Sequence, residues 1–323
     1  MNSRLLVYAL AIAAAALVPV FAGNDYIILI CCLIGIYIIV NTGLDMVYGY
    51  SGQITLGQAG FYAIGAYTSA LLSINTDIPV LLCVLIAGLL SSVIGMIVAF
   101  PAVKLVHHFL AMVTIGFGEI IRLLALNGGH FTGGVEGISN IPKPELFGFV
   151  FADVHSYFYL VLVLVVLLLW GKQNLVTSRI GRSFRAIRDN SGAASAFGIN
   201  VHHTKVAAFT VEGFFGGVGG ALYAHLVGFI SPETFSLTQS VLFLTMVLLG
   251  GAGTFWGPII GTILITILFE LLQPFGQMQM AIYGLIIIGV MLFMPKGIMG
   301  MVNSRWGSRG APAGQLAPSG RSH

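Results

Sequence analysis

The sequence predicts an all-α polytopic membrane protein of about ten transmembrane helices with a short helical segment in the cytoplasm. Three observations carry this. Of 323 residues, 57% are hydrophobic and only 8% charged, with a mean hydropathy of +0.97; a soluble domain carries roughly 25% charged residues. Apolar runs such as VLLCVLIAGLLSSVIGMIVAF and YLVLVLVVLLLW approach the roughly 20 residues a helix needs to cross hydrocarbon. These runs are solid, without the apolar–polar alternation of a membrane β-barrel.

Taken in order, the apolar spans fall at 5–22, 26–43, 54–74, 78–101, 109–126, 155–171, 206–228, 238–252, 257–273 and 278–294. The first follows Arg4 and ends VFA before Gly23, which resembles a secretory signal; read as a retained span, it leaves the remaining topology unchanged. Orientation follows from Lys and Arg. Lys172, Arg179, Arg182, Arg185, Arg188 and Lys205 face only Asp189 between the sixth and seventh spans, so that loop is cytoplasmic. Counting outward, Arg4, Lys104, Lys296, Arg305 and Arg309 also fall inside, and the loop at 127–154, with Glu136, Glu145 and Asp153 against Lys143, falls outside. Both termini are then cytoplasmic. Residues 1–300 form the membrane domain, with a cytoplasmic segment at 172–205 and an external loop at 127–154. Residues 301–323, mostly Gly, Pro, Ser and Ala without apolar period, read as a disordered tail.

The net charge of +3 is confined to loops and forms no broad basic surface, so nucleic acid is not an expected partner; the lipid bilayer is. Cys31, Cys32 and Cys83 lie in apolar runs without metal or redox spacing and read as core side chains. The seventh span opens with Gly213, Gly216, Gly217 and Gly220, GxxxG spacing that suits close helix packing.

The longest polar interruption is SRIGRSFRAIRDNSGAASAFGIN, residues 178–200. Arg182, Arg185 and Arg188 recur at threes, beside Phe184 and Ile187, so a helix there is amphipathic with neighbouring guanidiniums near one side. Ala193, Ala194, Ala196 and Gly198 follow. Two readings stand: the arginines set topology and touch head groups, or the segment plugs a partner's groove, which would use the small residues.

Gly49, Gly52, Gly57, Gly60 and Gly65 are too dense for an ordinary helix, since each costs roughly 1 kcal/mol against Ala. Either the helix is broken and lines a cavity, with Gln53, Thr55 and Gln58 as polar contacts, or other helices press against it. GGAGTFWGPIIG, from Gly250 to Gly261, has similar spacing. Ionisable groups inside spans are costly: Glu119 and Arg122, three apart, either pair with each other or line a path suited to a zwitterion, and Glu212 has no partner nearby in sequence. Gly52, Gln53, Gln58, Glu119, Arg122 and Glu212 are the path candidates. No nucleophile–base set suggests catalysis. GKQN at 171–174 lacks the glycine loop and the Ser/Thr of an ATP site, so uphill transport would draw on another subunit or on an ion gradient. An ion-coupled carrier would have Glu119, Glu212 and Glu270 as its ion sites.

GRSFRAIRDNSGAASAFGIN resembles the coupling segment of ABC importer permeases, in which an EAA-type motif forms a short helix seated on the ATP-binding subunit. Ala193, Ala194 and Gly198 match that motif, and Gly192 stands where it has Glu. YGYSGQITLGQAGFYAIGAYTSALL (48–72), FGEIIRLLALNGGHFTGGVEGISNIP and FLTMVLLGGAGTFWGPIIGTILI resemble branched-chain amino acid permeases of the LivM/LivH type, the long TGGVEGISNIP loop favouring the LivM side. The resemblance spans roughly residues 40 to 295. It implies a bacterial inner-membrane permease working by alternating access, with Arg182, Arg185, Arg188, Ala193, Ala194 and Gly198 coupling to an ATPase. It implies as partners a related LivH-like permease, two ATP-binding subunits and a periplasmic substrate-binding protein. No cofactor is expected on this chain, ATP and magnesium being held by the ATPases. Relatives for urea or short amides share the glycine signatures.

Overall fold

The computed structural model describes residues 11–19, 23–102, 107–129, 131–146, 149–151, 153–293 and 297–301. The expectation for the tail falls outside these residues beyond 301. Every predicted span contains a helix: α1 (11–19), α2 (Asp25–Asp45), α3 (Gln58–Asn75), α4 (Val80–Ala102), α5 (His107–Asn127), α6 (Val154–Thr177), and, past two short helices, α9 (Val201–Val227), α10 (Leu237–Gly250), α11 (Gly257–Leu271) and α12 (Gln279–Phe293). The short helices α7 (Arg179–Asp189) and α8 (Ser191–Ala196) fill most of the segment between α6 and α9. Among the described residues, five helices are long and apolar enough to cross a membrane: Asp25–Tyr50, Val80–Ala102, Phe109–Asn127, Val154–Thr177 and Val201–Val227.

Boundaries differ from the sequence reading where capping overrides hydropathy. α6 continues through Lys172 to Thr177, so the interruption begins later than 172. Ser178 caps α7 by accepting from Ile180 N–H and Gly181 N–H, Asn190 caps α8 by accepting from Ala193 N–H, and Asn200 caps α9 by accepting from His203 N–H. Each is an oxygen-bearing side chain at the first orphan donors of a helix. α9 thus begins a turn before the predicted 206, in a polar stretch.

α9 is the central helix and packs against α2, α3 and α4. Its glycines permit this: a side-chain carbon on Gly217 would meet Ser91 Cβ and the Ala87 carbonyl of α4, and one on Gly65 of α3 would meet the Gly217 backbone. In lipid no hydrophobic drive brings helices together, so such close approach supplies the dispersion and backbone contact that does. The GxxxG expectation is met. α4, α5 and α6 carry the exposed apolar faces, among them Ile97, Met112, Leu124 and Val163.

The segments sort to two ends. At one, Asp45 at the end of α2 pairs with the C-terminal end of α6 and the 251–256 loop, and Gly49 just beyond it accepts from α7. At the other, β1 (Ile138–Ser139) pairs antiparallel with β4 (Phe229–Ile230), Ile138 opposite Ile230, and β2 (Glu145–Leu146) pairs with β3 (Phe149–Val150). These short ladders order a loop that carries no strand signal. His225 ties the same end, its ring nitrogens lying 2.7 Å from Pro142 O and 2.7 Å from Ser69 Oγ. Tyr26 hydrogen-bonds Glu270 there, and His155 lies 3.3 Å from Asp25.

Candidate functional site

The first glycine signature is broken, and the predicted span from 54 is corrected to a helix starting at Gln58. α2 runs into a π-helical turn, Met46–Tyr50, and residues 52–57 are non-helical. Gly52 has φ +71°, a left-handed conformation that a Cβ disfavours. Ser51 Oγ donates to Val47 O at 2.8 Å and Gln53 Nε2 donates to Ser51 Oγ at 2.7 Å, so side chains replace the lost helical bonds. Gln58 Nε2 donates to Val40 O at 3.0 Å, and Leu56 N–H donates to Thr114 Oγ1 at 3.0 Å. Later glycines of the signature pack as well: a carbon on Gly60 would fall 2.9 Å from the Phe117 ring. The break and the close packing are both present, at different glycines of the signature.

Glu212 lies on α9 beside this break, with no exposed surface. Thr55 faces its carboxyl, and among the described residues neither oxygen has a partner in full hydrogen-bond geometry. α2 closes the other side, where a carbon on Gly43 would come 3.1 Å from the Glu212 carbonyl. Gln53, Thr55 and Gln58 are equally buried, and Gln53 Oε1 and Gln58 Oε1 also lack partners. A carboxyl and amide oxygens unsatisfied in an apolar interior are expensive.

Glu119 and Arg122 pair with each other. Arg122 Nη2 donates to Glu119 Oε1 at 2.6 Å and Arg122 Nε to Glu119 Oε2 at 3.0 Å, while Arg122 Nη1 reaches Glu233 at 3.2 Å. Glu119 lines a small cleft with Leu56, Ala59, Gly118 and Ser240. The six path candidates therefore make two groups: Gly52, Gln53 and Gln58 at the break with Glu212 of α9 beside it through Thr55, and Glu119 with Arg122 on α5, where Arg122 reaches Glu233 and Glu119 shares a cleft with Ser240 of α10.

The arginines of α7 turn back onto this chain. Arg182 Nη1 donates to Thr177 O and Arg185 Nη2 to Val176 O, each at 3.1 Å; both satisfy carbonyls left open at the end of α6. Arg188 Nη1 donates to Gly49 O at 2.5 Å, reaching the π-helical turn. Phe184 and Ile187 are buried beneath α7, as the amphipathic pattern requires, and Ala194 is buried beneath α8. Ala193, Phe197 and Gly198 are exposed, Phe197 to 88%.

Three residues at this end carry interactions that loop counting does not reveal. Lys172 Nζ lies 2.9 Å from Asp45 Oδ2 with both side chains fully buried, and 5.6 Å from the Tyr50 ring centroid. Asp45 Oδ1 accepts from Gly253 N–H at 2.7 Å. Gly253, at φ +74° in the second glycine signature, is the third. The sequence signal was an acid and a base each just past an apolar run, at the same end by topology. Phe197 was missed because one aromatic among small residues reads as core.

Residues 26–295 match a family described as branched-chain amino acid transport system / permease component. The high-affinity branched-chain amino acid transport system permease proteins LivM of Escherichia coli (strain K12) and Salmonella typhimurium (strain LT2) are each 39% identical over 289 residues, 82% of this chain and 68% of theirs. A probable branched-chain amino acid transport permease protein LivM of Methanocaldococcus jannaschii is 24% identical over 85% of this chain and 93% of its own. An autoinducer 2 import system permease protein LsrC of Klebsiella pneumoniae is 30% identical over 55% of this chain and 52% of its own. No solved structure matches.

Proposed function

Since this chain belongs to the branched-chain amino acid transport permease family, a multi-pass membrane permease of an ABC importer, we propose that it carries branched-chain amino acids inward by alternating access powered by partner ATPases. The family match over residues 26–295 carries this reading. In it, the chain pairs with a related permease, two ATP-binding subunits and a periplasmic substrate-binding protein. ATP and magnesium stay on the ATPases, and the permease lies in the bacterial inner membrane with both termini inside.

In this reading the buried polar groups at the helix break supply the path. Gln53, Thr55, Gln58 and Glu212 surround the helix break near the middle of α9, where a broken helix offers polar groups at membrane depth. The carboxyl of Glu212 suits a substrate ammonium, and a non-helical stretch such as 52–57 suits its carboxylate. Glu119, paired with Arg122, stands at the cleft beyond. The exposed face of Ala193, Phe197 and Gly198 is the surface offered to an ATPase: an aromatic anchor among small residues fits a groove.

Reconstitution tests this. Proteoliposomes holding the chain, its sister permease and both ATPases should accumulate labelled leucine only with ATP and binding protein. Uptake by the chain alone down an ion gradient would instead make it a secondary carrier. Uptake of urea or acetamide with leucine excluded would move the substrate class.

A further inference from the structure

The two glycine breaks meet at one guanidinium. Arg188 donates to Gly49 O of the π-helical turn, and its stem packs on Gly52, where an added carbon would come 3.1 Å from Arg188 Cγ. The guanidinium also abuts Gly253 of the second break, since an added carbon there would fall on Arg188 Nη1. The breaks are joined a second time beneath it, Asp45 Oδ1 holding Gly253 N–H while Asp45 Oδ2 holds Lys172. Arg182 and Arg185 do not reach this node; their hydrogen bonds end on α6, the helix that α7 already folds against. Gly181 seals that fold, an added carbon there clashing with carbonyls of Leu175 and Val176.

Resting on the reading of the cytoplasmic segment as the part an ATPase moves, we propose that Arg188 is the positioning residue that carries displacement of α7 to both helix breaks at once, through Gly49 and Gly253, about a pivot formed by the buried Asp45–Lys172 pair. The geometry suits the task. The π-helical turn and the left-handed glycines at 52, 251 and 253 are the parts of the bundle able to change backbone direction without moving whole helices. One end of each break opens a helix of the bundle, α3 after the first and α11 after the second. Pulling Gly49 and Gly253 together or apart therefore re-aims α3 and α11 in concert. A side chain that served only to cap a helix end would touch one break.

The test uses the full complex of both permeases, ATPases and binding protein, comparing Arg188→Met with Arg188→Lys. Met keeps the stem along Gly52 and removes every donor; Lys keeps the charge and a donor. In Arg188→Met the ATPase subunits should co-purify and hydrolyse ATP at near wild-type rates, while amino acid taken up per ATP falls about tenfold, a typical coupling loss. Arg188→Lys should recover a large part of it. Should Arg188→Met not reach the membrane, Arg188→Gln, which keeps polarity but not reach, takes the same measurements. Equal uptake per ATP in the donor-free variant overturns the linkage while leaving the transport function standing. Loss of the ATPase subunits overturns it too, by making Arg188 a docking residue. A wild-type complex without ATP-dependent uptake overturns the functional reading and the linkage together.

Discussion

Lys172 and Asp45, 127 residues apart in sequence, form a buried ion pair at 2.9 Å that joins the C-terminal ends of α6 and α2. The pair is not isolated. Gly253 N–H fills the second carboxylate oxygen and the Tyr50 ring lies beneath the ammonium, so both charges lose water and gain specific partners. That completeness makes the pair tolerable in an apolar setting, and makes either half costly to remove alone.

Removing one half leaves an unpaired buried charge. Lys172→Met should destabilise the protein by about 3–5 kcal/mol, read as lost thermal stability in detergent and lower membrane abundance. The double variant Asp45→Asn/Lys172→Met should recover most of the loss, because no naked charge remains. A double variant as unstable as the single one would mean that the charges themselves, rather than their mismatch, hold the two helices.

Gly253 has no room for a side chain and sits at φ +74°. Gly253→Ala should cost about 1–2 kcal/mol from backbone strain alone, with more from displacing Arg188. The same change at Gly284, where an added carbon meets nothing and φ is not positive, is the control and should gain or lose little. Equal thermal stability for the two variants would contradict the close packing at the second break.

Glu119 pairs with Arg122 at a partly exposed site, Glu119 being 42% and Arg122 20% exposed. Such pairs contribute roughly 0.2–1 kcal/mol, so Glu119→Gln should fold normally. As a wall of the cleft it should nonetheless lower leucine uptake. Normal uptake at normal abundance would leave Glu119 with pairing alone. Glu212→Leu, compared with Glu212→Gln, separates the inner group: uptake should fall in both and thermal stability should rise in the leucine variant, since a buried carboxyl without partners is replaced by an apolar group.

Phe197 is 88% exposed beside Ala193 and Gly198. Phe197→Asp should release the ATPase subunits from the purified complex without unfolding the bundle, as the side chain touches little of its own chain. Ala194→Trp is a poorer probe, because Ala194 is buried under α8 and the larger ring would disturb that packing first. Retention of both ATPases by Phe197→Asp would move the docking surface elsewhere.

What the sequence determined by itself was the material and its punctuation. Solid apolar runs announced helices for a bilayer, loop charge gave an expected alternation, and the glycine density at 49–65 marked a place where a helix either breaks or is pressed by its neighbours. The caps at Ser178, Asn190 and Asn200, which hydropathy does not register, came from the structure. What only the tertiary structure decided was which helix faces which. A membrane helix is apolar all round, so its sequence carries no polar face to give its rotation, and Asp45 could not be matched to Lys172, nor Arg188 to Gly49, before α9 had drawn α2, α3 and α4 against its glycines. The same packing divided Glu212 from Glu119, burying one on α9 and leaving the other part-exposed on α5 with Arg122.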